Sequence, residues 1–216
     1  MKSISQTRTQ MNEQTVSDSS ISSGERARAV LAMESRALER LAVDLDIDAF
    51  GRAIDVLVQG RVVIAAVGKS GHIGRRGAAT LSSLGIQSVF LHAYEALHGD
   101  IGTLTENDAV LAISNSGTTT EVLQVCAMAA ERGVPIVAIT RSIESPLAQM
   151  AEATLIVNVE GEADPANLVP TASLTAVGAL IDALALELSA LVDPGFERFP
   201  RNHPGGAIGM RVRGEG

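Results

Sequence analysis

The chain has 216 residues, 46% apolar and 19% charged, and its 17 Lys and Arg against 25 Asp and Glu give a formal net charge of −8. That length suffices for one domain with its own core, while five aromatics, four Phe and one Tyr, are too few for a β-sandwich or a base-stacking surface. The acidic balance offers no extended cationic field for nucleic acid, and the single Cys126 excludes an intramolecular disulfide and a multi-cysteine zinc site, so a cytoplasmic protein with a small-molecule partner is expected.

Residues 1–22 are rich in Ser and Thr and read as a disordered leader, because so little apolar surface cannot offset the entropy of ordering. Ser22 and Glu25 then form a capping-box signal, after which Val30, Leu31, Leu38, Leu41 and Leu45 follow helical spacing. Asp46 is placed to cap a second helix running to about Val58. From there short β-branched runs alternate with amphipathic stretches. Strands are predicted over Val62–Val67, Ser88–Leu91, Ala109–Ile113, Pro135–Ile139 and Ala153–Val157. Helices are predicted over Ile73–Leu84, Thr119–Arg132 and Ser145–Met150, the second burying Val122, Val125, Cys126 and Ala129. Continuous apolar strands separated by helices predict an α/β class, a doubly wound five-stranded parallel sheet flanked by helices in three layers.

A last long helix, Thr171 to about Val192, carries apolar residues at 174, 177, 181, 184, 188 and 191, a narrow stripe suited to a bundle or a subunit interface. Asp182 and Glu187 at its mid-length argue against a membrane span. After Asp193-Pro194 comes a tail holding His203-Pro204-Gly205-Gly206.

Ligands of a doubly wound sheet gather at the carboxyl ends of its strands. The first strand ends in Gly68-Lys69-Ser70-Gly71-His72-Ile73-Gly74, a glycine-rich turn opening a helix, and the third in Ser114-Asn115-Ser116-Gly117-Thr118-Thr119-Thr120-Glu121, a hydroxyl-rich turn opening another. Helix N-termini present unpaired N–H groups and a positive dipole end, and Ser114, Ser116 and Thr119 can add hydroxyl donors to cradle a phosphate. Neither loop fits the Walker A or dinucleotide glycine spacing, which disfavours ATP and dinucleotides. Either could be an ordinary strand-to-helix turn; two in one sheet favour an anion site.

In order and spacing, GKSGHIG, HGDIG, SNSGTTTE, VPTASLT and NHPGGAIG make the chain resemble the sugar isomerase (SIS) domain of arabinose-5-phosphate isomerases, the KdsD/KpsF family, over roughly Glu25 to Gly209. The resemblance implies a single SIS domain over residues 23–210 with a short tail at 211–216. Its implied activity is interconversion of D-ribulose 5-phosphate and D-arabinose 5-phosphate, feeding Kdo for lipopolysaccharide or capsule. A homotetramer with sites shared between subunits is implied, without cofactor, membrane or nucleic-acid partner. Two departures stand out. Relatives commonly continue into a pair of CBS modules, so regulation through such modules is expected to be absent here. Asp164 stands at the place of the usual Cys in Glu160-Gly161-Glu162-Ala163-Asp164-Pro165.

Carried over position by position, the resemblance puts catalytic groups at Lys69, His98, Glu121, Glu162 and His203, and phosphate or substrate contacts at Gly68, Ser70, Ser114, Ser116 and Thr119. Aldose–ketose isomerisation through an enediol needs a base between C1 and C2, a part the resemblance assigns to Glu162. His203 would assist ring opening, or is a surface histidine beside a turn. His98 would donate to sugar hydroxyls, or holds its own loop. Glu121 is catalytic, or closes a capping box with Thr118. Lys69 neutralises phosphate or polarises the carbonyl, or is a solvated lysine. His72 and His92 read as structural. No metal is required, and a His98–His203 pair without a third ligand would be an adventitious site. Alternatives are a SIS isomerase for another phosphosugar, such as a 3-hexulose 6-phosphate, and a non-catalytic phosphosugar sensor.

Overall fold

The structure is a computed structural model that describes residues 22–212 and 214. The leader expected over 1–22 therefore lies outside the described residues apart from Ser22. The chain divides into two compact units, one ending at Asp44 and resuming over Asn158–Ala176, the other spanning Leu45–Val157 and resuming at Val177.

The larger unit holds β1 (Arg61–Ala66), β2 (Ser88–His92), β3 (Asp108–Ile113), β4 (Ile136–Thr140) and β5 (Ala153–Ile156) in the order β2-β1-β3-β4-β5. Every pairing is parallel, with Val63 opposite Val89 and Val110, Leu111 opposite Val137, and Ile139 opposite Leu155. The five predicted strands and the doubly wound sheet are therefore present, each strand within one residue of its expected ends. They are buried because helices cover both faces, which is what a run without polar alternation requires. The helix Thr120–Ala130 seals one face with Val122, Val125, Cys126 and Ala129, all fully buried. Burial pushes the Cys126 thiol up to about 12, so it is an inert core residue. The helix Ile47–Leu57 starts where expected, with the Asp46 carboxylate accepting the Ala49 N–H at 2.9 Å.

The helix after β1 begins at Gly68, five residues before the predicted Ile73. The motif GKSGHIG is thus mostly helix, and only Gly68, at φ 56°, makes the turn. Gly71, Gly74 and Gly77 lie on one face at a spacing of three. A Cβ on them would stand 3.3 Å from the Phe90 ring, 3.0 Å from Ile64 and 2.6 Å from Ile181, respectively. Close helix–sheet packing around Phe90 outweighs the poor helix propensity that suggested a loop.

The helix Ala172–Val192 buries Val177, Ile181, Leu184 and Leu188 of the expected stripe, but also Leu180 and Ala185, while Leu191 is exposed. The apolar face is therefore broader than a two-position seam. By length and composition this helix could cross a membrane. Its buried face and the 2.6 Å ion pair of Asp182 with Arg76 are those of a core helix. Two short helices beyond it, Arg198–Asn202 and Gly206–Val212, were not expected, and the second takes up the start of the supposed tail.

One buried ion pair ties β1 to β3. Asp108, almost fully covered, accepts from Arg61 Nε and Nη2 at 2.8 Å and from the Thr105 N–H at 2.7 Å. Burial alone would push its carboxyl up; the guanidinium and the Thr105 donors outweigh that and hold it below its ordinary value. This stability is present above the unfolded-state pKa of an aspartate and is lost as pH falls through the lower native value. Asp108→Asn should cost about 2–3 kcal/mol in urea unfolding at pH 7, toward the low side for a pair whose Arg61 is partly exposed. The difference from wild type should begin to shrink below about pH 4, where the unfolded-state aspartate protonates, and vanish once pH has fallen below the lower native value.

The smaller unit contains the helix Ser23–Asp44 and the segment leading to Ala172. The expected capping box is formed: the Ser22 N–H and hydroxyl donate to Glu25 at 3.0 and 2.7 Å, and the Glu25 N–H returns a 3.3 Å bond to Ser22 Oγ. Leu31, Leu38 and Val43 on this helix are exposed.

Candidate active site

Because β1 and β3 are neighbours while their following helices leave in opposite directions, their carboxyl ends form the switch point of the sheet. At the β1 exit Val67 alone separates strand from helix, and the first helical bond is Gly71 N–H to Val67 O at 3.0 Å. The N–H groups of Gly68, Lys69 and Ser70 therefore have no acceptor within the helix, and the Lys69 side chain is exposed beside them.

The β3 exit is a turn braced from behind. Ser114 Oγ and Thr119 Oγ1 lie 2.7 Å apart, and Gly117 N–H donates to both Ser114 oxygens at 3.0 and 3.1 Å. Thr118 N–H and Oγ1 donate to Ser116 Oγ at 3.2 and 3.0 Å. Thr140 Oγ1 and Arg141 N–H hold the Asn115 carbonyl. The helix then opens at Thr120, presenting further unpaired N–H groups next to those of the β1 exit. Of the three predicted hydroxyls, Ser116 is exposed, Thr119 half-buried and Ser114 buried, with the Ser114 hydroxyl engaged inside the turn. The Thr118–Glu121 capping box does not form. Thr119 occupies the cap position and Thr118 is committed to Ser116. Among the described residues Glu121 has no hydrogen-bond or ion-pair partner, so it stands as a free carboxylate in the first turn.

Gly117 makes this turn possible. Its φ is 67°, and a Cβ there would lie 2.3 Å from Ser145 Cβ and Oγ and 2.8 Å from Thr140 Oγ1. Gly117→Ala should lower stability by about 2–5 kcal/mol, adding left-handed backbone strain to overpacking. The drop in thermal midpoint measures it, and loss of phosphate affinity should accompany it in any fraction that folds.

His98 follows β2 at the same end of the sheet, exposed, with its ring 4.7 Å from Tyr94. His92, opposite Ala66 at the end of β2, has a buried Nδ1 without a partner among the described residues. His72 is exposed on its helix. His203 is elsewhere. Its Nδ1 lies 2.8 Å from the Phe199 carbonyl and its ring 4.0 Å from that of Phe199. The preceding Asn202 donates to Ser83 O, and Arg198 to Gly85 O, both at the far end of the helix that begins at Gly68. That helix of 16 residues is roughly 24 Å long, so His203 sits at the amino ends of the strands, opposite the two turns of its own chain. The supposed His98–His203 metal pair is accordingly not brought together within one chain. Among the described residues no group of three or more His, Cys, Asp or Glu could hold a metal ion.

In the smaller unit, Glu162 is not a solvated surface carboxylate. Its Oε2 accepts from Thr171 N–H at 2.7 Å, Thr171 Oγ1 at 3.2 Å and Ser173 N–H at 3.2 Å, and its Oε1 from Ser173 Oγ. The carboxylate thus caps the helix that begins at Ala172, and among the described residues Oε1 takes only the Ser173 hydroxyl, which leaves it one lone pair.

The SIS domain family matches the chain over residues 56–187. The chain belongs to the SIS domain family. It is 45% identical over 190 residues to arabinose 5-phosphate isomerase KdsD of Pseudomonas aeruginosa, covering 86% of this chain and 57% of that protein. To arabinose 5-phosphate isomerase KpsF of Escherichia coli it is 40% identical over 187 residues, again 86% and 57%. The chain thus spans little more than half the length of these curated relatives. Among solved structures, Escherichia coli CFT073 c3406 in complex with arabinose 5-phosphate is 39% identical with a TM-score of 0.76, covering 81% of this chain and 94% of that one.

The matched span of the SIS domain contains both turns, Lys69, His98, Glu121 and Glu162, and ends before His203. Spacing could not reveal two further features. Thr140 and Ser145 brace the Gly117 turn from the next strand and loop, and Asp164 accepts backbone N–H groups of Ala166, Leu168 and Val169. Those donors, Val169 first, hold the Asp164 carboxyl below its ordinary value.

Proposed function

We propose that this SIS domain interconverts D-ribulose 5-phosphate and D-arabinose 5-phosphate, supplying the aldose for Kdo of lipopolysaccharide or capsule. The observation that carries the proposal is the pair of helix N-termini at the β1/β3 switch point, one with a lysine and one with a hydroxyl-lined turn. The 39% identity to a protein whose structure holds arabinose 5-phosphate supports the choice of sugar.

In this reading the phosphate rests on the open N–H groups of both turns, with Ser116 and Thr119 donating, Gly68 and Ser70 admitting its oxygens and Ser114 bracing the turn. An anion there needs few cations, which reconciles the ligand with a chain of net charge −8. Lys69 polarises the carbonyl. Glu162 removes the proton from C2 of the aldose through its open Oε1 lone pair, giving an enediolate, and returns it to C1. Glu121 and His98 attend the hydroxyls that exchange protons, and His203 assists ring opening from a second chain, since its own chain holds it at the other end of the sheet. A homotetramer with shared sites, in the cytoplasm, accommodates that division. The exposed Leu31, Leu38, Val43, Leu186 and Leu191 supply apolar surface for such contacts.

The test is conversion of ribulose 5-phosphate in deuterated water. Formation of arabinose 5-phosphate carrying deuterium at C2 supports the proposal; binding of the sugar without solvent exchange would make the protein a sensor, and turnover of a hexulose phosphate alone would change the substrate.

A further inference from the structure

Residues 165–170 are all exposed, including Leu168 and Val169, so burial does not hold this stretch in shape. Hydrogen bonds do. Asp164 Oδ1 accepts from Ala166 N–H at 3.0 Å, and its Oδ2 from Leu168 N–H at 2.8 Å and Val169 N–H at 2.7 Å. The Asn167 N–H closes on the Asp164 carbonyl at 3.0 Å, with Asn167 at φ 54°. The Asn167 side chain then turns back, and its Oδ1 accepts the Glu162 N–H at 2.6 Å. Gly161 leaves room for it, because a Cβ there would lie 3.2 Å from the same oxygen. On the other side of Glu162, the Ala163 N–H donates to Thr171 Oγ1 at 2.9 Å. The main chain on both sides of Glu162 is thus pinned by side chains, one of which keeps its place through the Asp164 carboxylate.

We infer that Asp164 is a positioning residue for Glu162, acting through Asn167: it winds the 164–169 turn so that Asn167 fixes the backbone from which the Glu162 carboxylate projects. The inference rests on the proposed base role of Glu162. A carboxylate is suited to the part because its two oxygens offer about four acceptor sites, and three backbone donors converge on them. When the turn loosens, the sugar still binds at the two helix N-termini, and what is lost is the alignment of a base with a carbon-bound proton, a step sensitive to displacements of about 1 Å.

The experiment compares kcat and KM for ribulose 5-phosphate in wild type, Asp164→Ala, Asp164→Asn, Asn167→Asp, Asn167→Ala and Glu162→Gln, with circular dichroism to establish folding. Asp164→Ala should lower kcat about ten- to a hundredfold with KM within about threefold. Asp164→Asn should lose less, because its amide oxygen can still take Leu168 and Val169 N–H; it decides the matter if the alanine variant does not fold. Asn167→Asp, which keeps an acceptor for the Glu162 N–H and tolerates positive φ, should stay near wild type while Asn167→Ala falls. Wild-type kcat in folded Asp164→Ala alongside an inactive Glu162→Gln overturns the positioning role alone. A rise in KM with kcat unchanged also overturns it, placing Asp164 in binding. Wild-type kcat in Glu162→Gln overturns the base assignment, and the inference with it.

Discussion

Glu162→Gln should reduce turnover of ribulose 5-phosphate by about 10²–10⁴-fold while leaving the fold and the KM nearly unchanged. The substitution is clean because of how this carboxylate is held. The amide oxygen can occupy the place of Oε2 and accept from Thr171 N–H, Thr171 Oγ1 and Ser173 N–H, and the amide nitrogen can face Ser173 Oγ, a hydroxyl able to accept as well as donate. The cap on the Ala172 helix therefore survives, whereas the lone pair needed to take a proton from carbon does not. Glu162→Ala would remove both and confound the two. Deuterium exchange at C2 should fall in parallel with net isomerisation, since both depend on the same proton abstraction. Equal turnover in wild type and Glu162→Gln would transfer the base role to Glu121, the free carboxylate beside the β3 turn, and Glu121→Gln would then carry the loss.

The parts of the molecule that were legible in the sequence are those governed by local chemistry. Continuous β-branched runs marked all five strands to within a residue, and Ser22, Glu25 and Asp46 announced caps that formed as written. Long-range packing overrode local signals elsewhere. GKSGHIG reads as a glycine-rich turn ahead of a helix from Ile73 because glycine disfavours helix, yet Phe90 and Ile64 press against Gly71 and Gly74 and make the bare face an advantage. The spacing of three between Gly71, Gly74 and Gly77 was the available hint. Thr118 and Glu121 had the spacing of a capping box, but the Thr118 hydroxyl found Ser116 closer at hand, and capping patterns do not register such competition. Asp164 stood out only as a departure from relatives; its three backbone donors depend on a turn that the pattern of residues 165–170 does not announce. The place of His203 depends on Arg198 and Asn202 reaching Gly85 and Ser83, contacts more than a hundred residues apart in the chain.

That placement yields a second large effect. Lys69→Ala and His203→Ala should each lower turnover by at least about a hundredfold when prepared alone, as loss of a group acting in the transition state does. Neither should unfold the protein, since Lys69 is exposed and His203 is held mainly through Phe199. Mixed by coexpression or by joint refolding, the two inactive variants should recover activity. Lys69 opens the helix after β1 and His203 lies beyond the other end of that helix, so a site using both draws them from different chains. In a random mixture a site is intact when its lysine comes from a His203→Ala chain and its histidine from a Lys69→Ala chain, which predicts about a quarter of wild-type activity in a closed homo-oligomer. If both groups served one chain's own site, mixing would restore nothing, because every site would still lack one of them. The same mixture made with Lys69→Ala and Gly117→Ala should recover nothing by this route, since both positions lie at the switch point of one sheet and every chain in the mixture carries a defect in one or the other. Recovery with His203→Ala and none with Gly117→Ala would therefore separate a site completed across chains from a general stabilisation by assembly.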